Sequence, residues 1–166
     1  MRSVVVSGDG LTLADVVDVA RGEARAELAA TVPAAMEPSR AVVTAAIAGD
    51  APVYGVNTGF GALADTRVGE KDLVRLQAAI IRSHAAGTGE PLGDEVVRAL
   101  LLLRARTLAA GYSGVRPVLP QRLLEARPGP APGRTRQGLG GGVRGPGAAC
   151  PPGPAADRGG TAARPR

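Results

Sequence analysis

The chain has 166 residues, enough for one ordinary domain, but its composition is not uniform. Residues 126–166 hold more than half of the 14 Pro, nearly half of the 24 Gly and an excess of Arg that accounts for the whole net charge of +5. Leu139 and Val143 are their only large aliphatic residues, so this segment cannot bury enough apolar surface to offset its chain entropy. We therefore expect residues 1–125 to fold and residues 126–166 to form a disordered basic tail.

Composition also excludes several classes of protein. The longest aliphatic run, Leu100–Leu103, is far short of the roughly 20 residues of a membrane-spanning helix, and the apolar run after Met1 is too short for a signal sequence. We expect a cytoplasmic protein. Because Cys150 and His84 are the only cysteine and histidine, the chain has no internal disulfide and no ligand set for a metal site.

The tail leaves one function of another class open. Its Arg and Gly content is typical of a small basic protein that binds nucleic acid through such a segment. It has no aromatic residue on which bases could stack, which disfavours that interpretation.

The first predicted elements are a short strand at Val4–Val6 and a helix capped by Thr12, with Asp15 near its positive end. A second helix is broken or begins around Pro38 and ends at Gly49. Residues 50–66 then form a loop that is long for a compact domain, and long ordered loops are often functional.

Helical spacing returns from Glu70 to Ala86, where His84 follows Ile80 by four residues. We therefore expect His84 to share the buried or cleft-facing side of this helix with Ile80. A further helix over residues 94–111 is apolar on nearly all sides and is predicted to be deeply buried, and a last one covers residues 118–125. These helices carry more apolar surface than one small core can cover. We therefore expect that more chain or other subunits pack against them.

Two motifs carry candidate chemistry. Tyr54-Gly-Val-Asn-Thr-Gly-Phe-Gly61 places a phenol among glycines, and it lacks the Gly-Lys-Ser/Thr ending of a phosphate loop. On composition alone Tyr54 is more typical of a packing tyrosine than of a catalyst. By the same reasoning, His84 in Arg82-Ser-His-Ala-Ala-Gly87 is more typical of a structural histidine.

Read in order, these motifs resemble the N-terminal part of the aromatic amino acid ammonia-lyases, over about residues 3–125. The resemblance is also carried by Leu76-Gln77, Val97-Arg-Ala-Leu100 and Gly111-Tyr-Ser-Gly-Val-Arg-Pro117. The Ser83-His84 pair is similar to that of histidine ammonia-lyases, while phenylalanine and tyrosine lyases tend to carry other pairs. The resemblance implies a mainly α fold, a homotetramer with sites shared between subunits, and a small aromatic amino acid as substrate. A phenylalanine or tyrosine lyase, or an aminomutase of the same family, is the alternative.

The resemblance also implies a role for each site residue. Tyr54 matches the catalytic base that removes the β-proton of the substrate, and Ser83 and His84 match the positions that discriminate among substrate side chains. The remaining residues of the active-site loop are Gly55, Asn57, Thr58, Gly59, Phe60 and Gly61. A neutral imidazole can hydrogen-bond a polar heteroaromatic ring, which agrees with histidine as substrate.

The family's electrophile, a methylidene-imidazolone made from an internal Ala-Ser-Gly, has no precursor here, because no Ala-Ser-Gly occurs in the sequence. The codon table offers an explanation. If Arg is encoded by CGN, reading one nucleotide downstream over residues 141–149 permits Gly-Ala-Ser-Gly-Asp-Leu-Ala-Pro-Leu, and residues 150–159 permit Ala-His-Leu-Ala-Leu-Leu-Leu-Ile-Gly-Glu. Both stretches are what the family has there. We therefore expect a one-base frameshift near codon 125, and a chain that is an inactive, poorly folded fragment.

Overall fold

The computed structural model describes residues 1–85 and 90–126, and the described part is mainly helical, as predicted. The predicted disordered tail lies outside the described residues, apart from Ala126. The elements in chain order are β1 (Arg2–Val6), α1 (Leu13–Arg21), β2 (Ala24–Leu28), α2 (Val32–Ala48), a 3-10 helix (Gly61–Leu63), α3 (Glu70–Ser83), α4 (Asp94–Ala109) and α5 (Val118–Glu125). None of these helices is long and apolar enough to cross a membrane.

A two-stranded parallel sheet opens the chain, with β1 paired to β2 from Arg2 opposite Ala24 to Val6 opposite Leu28. The predicted first strand is confirmed because Val4 and Val6 alternate into the core. The second strand was not predicted. Its sequence Ala-Arg-Ala-Glu-Leu contains no β-branched or aromatic residue, so only its alternation of buried and exposed positions marks it as a strand.

Helix α1 begins where the sequence predicts. The Thr12 side chain accepts a hydrogen bond from the Asp15 backbone amide at 3.2 Å, and the Asp15 carboxylate accepts one from the Thr12 amide at 3.0 Å. This reciprocal pair is a capping box. Arg2 of β1 adds ion pairs of 2.7 Å to Asp15 and to Asp18, which tie the helix to the sheet.

Helix α4 is the centre of the fold and packs against α1, α2, α5 and β1. Its buried residues divide between three apolar clusters that cover one side of the helix; they are Val97, Leu101, Leu102, Ala105, Leu108 and Ala109. The prediction of deep burial refers to a finished protein, and in this chain α4 keeps one apolar face exposed. Val96 is 48% exposed and Leu103 is 45% exposed, because no described element covers that face.

Helix α2 begins at Val32, six residues before the predicted start or break at Pro38. Proline in a helix interior removes one backbone hydrogen bond, which is why the sequence predicts a boundary there. Tertiary packing outweighs that loss. Val32 and Met36, in the first turns of the helix, are 2% and 1% exposed and pack against Ala109 of α4.

Candidate active site

Asn57 fixes the tyrosine-bearing loop to the end of α2. Its Nδ2 donates hydrogen bonds of 2.9 Å to the carbonyl oxygens of Ala46 and Ala51, and its Oδ1 accepts one of 2.6 Å from the amide of Val53. The side chain is 1% exposed, and each of its polar atoms has a partner. The amide therefore satisfies a terminal carbonyl of α2 and holds the backbone on the N-terminal side of Tyr54.

Backbone bonds close the other side of the loop. The Val68 amide donates to the Asn57 carbonyl at 2.8 Å, and Thr58 pairs with Arg67 in an isolated antiparallel bridge. Arg67 also donates to the Gly49 carbonyl at 2.8 Å and lies 3.7 Å from the Asp50 carboxylate. The sequence reasoning missed Arg67. No local signal could have found it, because Arg67 lies 18 residues after Gly49 and meets the end of α2 only in the folded chain, where the terminal carbonyls attract positive charge.

Two glycines of the loop are required by the backbone. Gly55 has a φ of +74°, a left-handed conformation that residues with a side chain rarely adopt. A Cβ on Gly59 would lie 2.5 Å from the Cβ of Leu63 and 2.9 Å from its carbonyl oxygen. The glycines therefore allow a tight, closed loop, and the buried Asn57 and Thr58 inside it give it a fixed shape.

Tyr54 is presented on the outside of this loop. Its side chain is 64% exposed, and its ring packs edge-on against Phe60 with ring centroids 5.6 Å apart at an interplanar angle of 70°. Among the described residues, the Tyr54 hydroxyl makes no hydrogen bond to a side chain. Tyr54 therefore has one aromatic contact and a largely exposed side chain, and its role as a packing residue or as a base stays a prediction.

Ser83 and His84 lie at the C-terminal end of α3. The helix ends at Ser83, so the prediction that it reaches Ala86 is wrong; Ala86 itself lies outside the described residues. His84 is the exposed cap residue, so of the two placements predicted for it beside Ile80, buried or cleft-facing, the buried one is wrong. Helix α3 buries only Leu73, and burial of His84 would require an element packed over its last turn. The four-residue spacing does bring the His84 ring to the Ile80 carbonyl, at 2.9 Å from Nδ1.

The described structure does not join the two motifs directly. No hydrogen bond among residues 1–85 and 90–126 links Tyr54 to Ser83 or His84. A cleft of about 990 Å³ runs between α2, α3, α5 and the loop. It is lined by Gly55, Val56 and Gln77, and Tyr54 and His84 are not among its lining residues.

Comparison with known proteins identifies what this loop and these helices belong to. The family model for aromatic amino acid lyases matches residues 11–127. The chain is 49% identical over 125 residues to a histidine ammonia-lyase of Streptomyces griseus, with 75% of this chain and 24% of that protein covered. A histidine ammonia-lyase of Geobacillus thermodenitrificans is also 49% identical, over 121 residues. The chain thus spans about a quarter of the length of the curated relatives it matches.

Solved structures give the same result for the fold. The crystal structure of histidine ammonia-lyase from Trypanosoma cruzi superposes with a TM-score of 0.67 at 34% identity, covering 75% of this chain and 24% of that one. Tyrosine aminomutase from Streptomyces globisporus superposes with a TM-score of 0.68 at 35% identity, covering 74% and 23%. Because the family model matches residues 11–127 and a relative is 49% identical over 125 residues, the chain belongs to the aromatic amino acid lyase family.

Proposed function

We propose that this chain is the N-terminal part of a histidine ammonia-lyase, which removes ammonia from L-histidine to give trans-urocanate. The observation that carries the proposal is the loop that presents Tyr54 and that Asn57 holds against α2. This loop lies in a chain that is 49% identical over 125 residues to a histidine ammonia-lyase. In the reaction a proton leaves the β-carbon, the bond from the α-carbon to nitrogen breaks, and a carbon–carbon double bond forms. Tyr54 is proposed to accept the β-proton.

The three hydrogen bonds of the Asn57 side chain support a catalytic role for Tyr54. A general base must lie within hydrogen-bonding distance of the proton that it removes, so its backbone has to be held in one place. Asn57 fixes that backbone to α2, while Tyr54 itself stays open to an incoming molecule.

The substrate-binding roles proposed for Ser83 and His84 rest on the resemblance and on their exposed position at the end of α3. Their ring and hydroxyl can offer hydrogen bonds to a polar aromatic side chain. An aminomutase acting on tyrosine is the second candidate, because solved tyrosine aminomutases superpose on this chain as well as a histidine ammonia-lyase does. Supplying histidine, tyrosine and phenylalanine in turn to the frame-restored protein and identifying the products separates these candidates.

The chain does not fit the family's electrophile. No Ala-Ser-Gly occurs among its 166 residues, so it has no precursor for the methylidene-imidazolone group. We propose that residues 126–166 are translated in a shifted frame, which divides the chain into a lyase part over residues 1–125 and a tail without function. Cys150 and Asp157 support this because their codons leave few choices in the shifted frame. The shifted codon that begins within the Cys150 codon can encode only Ala or Val, and the one that begins within the Asp157 codon can encode only Ile or Thr.

Two experiments test this proposal. Sequencing the coding DNA contradicts the frameshift if the shifted frame contains a stop or lacks Ala-Ser-Gly over codons 142–144. Following urocanate by its ultraviolet absorbance after adding histidine to the purified chain should show no turnover, and turnover would contradict the proposed inactivity.

Exposed apolar side chains support a larger assembly. Val42 on α2 is 69% exposed, Val74 on α3 is 79% exposed and Val118 on α5 is 44% exposed. Such faces are normally covered in a finished protein. We propose that further helices of the intact enzyme and the other subunits of a cytoplasmic homotetramer cover them, which sedimentation of the frame-restored protein can test.

A further inference from the structure

Three polar groups meet at the last turn of α3. The Ser83 Oγ lies 3.0 Å from the Ile80 carbonyl oxygen and 3.0 Å from the His84 Nδ1. The His84 Nδ1 lies 2.9 Å from the same Ile80 oxygen, which also accepts the His84 backbone amide at 3.0 Å. One terminal carbonyl therefore faces three potential donors, an arrangement that helix ends tolerate because shared hydrogen bonds are common there.

Counting protons at this cluster fixes the form of the imidazole. A carbonyl oxygen can only accept, so a ring nitrogen 2.9 Å from it has to donate, and Nδ1 must carry a hydrogen. The single Ser83 proton points to Ile80, and its oxygen is then an acceptor for the Nδ1–H group. The other neutral tautomer would set the Nδ1 lone pair against the carbonyl lone pairs. The negative end of the α3 dipole further favours a donor at this place.

We propose that His84 is held as the neutral Nδ1–H tautomer, so that its Nε2 presents a hydrogen-bond acceptor to a ligand. The residue is exposed at the end of the helix, so Nε2 is available to an incoming molecule. Its match is a ligand group that donates a hydrogen bond, and this part of the inference rests on the proposed function.

Nitrogen-15 NMR of the full chain tests the tautomer directly. His84 is the only histidine, so every imidazole nitrogen signal comes from this residue without further assignment. At a pH of about 9, the expected spectrum has a protonated-type Nδ1 and an unprotonated-type Nε2. The same chain in concentrated urea gives the reference spectrum of an unconstrained imidazole. A spectrum with the proton on Nε2 overturns the proposal, and so does one equal to the urea reference from a chain whose circular dichroism shows folded helices.

A variant separates the two partners of the ring. Ser83→Ala removes the hydroxyl but leaves the Ile80 carbonyl, so the Nδ1–H tautomer should persist; reversal to the other tautomer would overturn the assignment to Ile80. The measurement needs neither substrate nor turnover. A failed urocanate assay therefore leaves the tautomer result intact, and a reversed tautomer leaves the proposed lyase function intact, so the two failures are distinguishable.

Discussion

Replacing Asn57 by alanine should release the Tyr54 loop from α2. The substitution removes one acceptor and two donors from a side chain that is 1% exposed, and it leaves the carbonyls of Ala46 and Ala51 and the amide of Val53 without their partner. A typical intramolecular hydrogen bond contributes about 1 kcal/mol net, and an unpaired buried group costs more. Ala51 is exposed, so water can replace one of the three bonds. The expected loss in the free energy of local opening is about 2 to 3 kcal/mol.

Amide hydrogen exchange measures that loss where it occurs. The backbone amides of Asn57 and Val68 are bonded inside the loop, to the carbonyls of Val53 and Asn57 respectively. A loss of about 2 to 3 kcal/mol should lower their protection about 30- to 150-fold. Thr44→Ala is the matched control, because its exposed hydroxyl bonds only the Arg40 carbonyl of its own helix. If the loop amides of Asn57→Ala exchange as slowly as those of the parent chain, Asn57 does not hold the loop.

Four further substitutions test the core, the loop and the cap. Leu102→Ala should lower the free energy of unfolding, measured in urea, by about 2 to 5 kcal/mol because the residue is 1% exposed. Leu103→Ala next to it, 45% exposed, should lower that free energy by about 0.5 kcal/mol or less. Equal losses would contradict the core described. Gly59→Ala should cost about 1 to 3 kcal/mol through its clash with Leu63, and a neutral result would mean that the loop is looser than described. Hydrogen bonds from Thr12, reinforced by Arg2, hold the pKa of the Asp15 carboxyl below its ordinary 3.8, so this stabilisation is present above that pH and is lost below it. Asp15→Asn should therefore flatten the fall in stability as the pH drops through and below 3.8, and an unchanged acid slope would refute the assignment.

The sequence predicts elements whose signals are local. Thr12 and Asp15 specify the start of α1 by themselves, since a capping box needs only residues three apart. The start of α2 depends instead on a distant contact, because Val32 and Met36 are buried against Ala109 of α4. No pattern near Pro38 contains that information.

The candidate site shows the same division. The glycine-rich motif locates Tyr54, but the role of Asn57 follows only from the meeting of its side chain with the end of α2. The four-residue spacing of Ile80 and His84 correctly predicts that they are neighbours on α3. It cannot predict burial, which depends on what packs over the end of that helix.

Urocanate formation by the frame-restored protein tests the central claim most directly. With residues 1–125 continued in the shifted frame, added histidine should give trans-urocanate, followed by its ultraviolet absorbance. Tyr54→Phe should lower the rate about 100- to 10,000-fold, the usual contribution of a general base, while Thr44→Ala should leave it unchanged. An absence of urocanate, or a Tyr54→Phe enzyme as fast as its parent, would contradict the account.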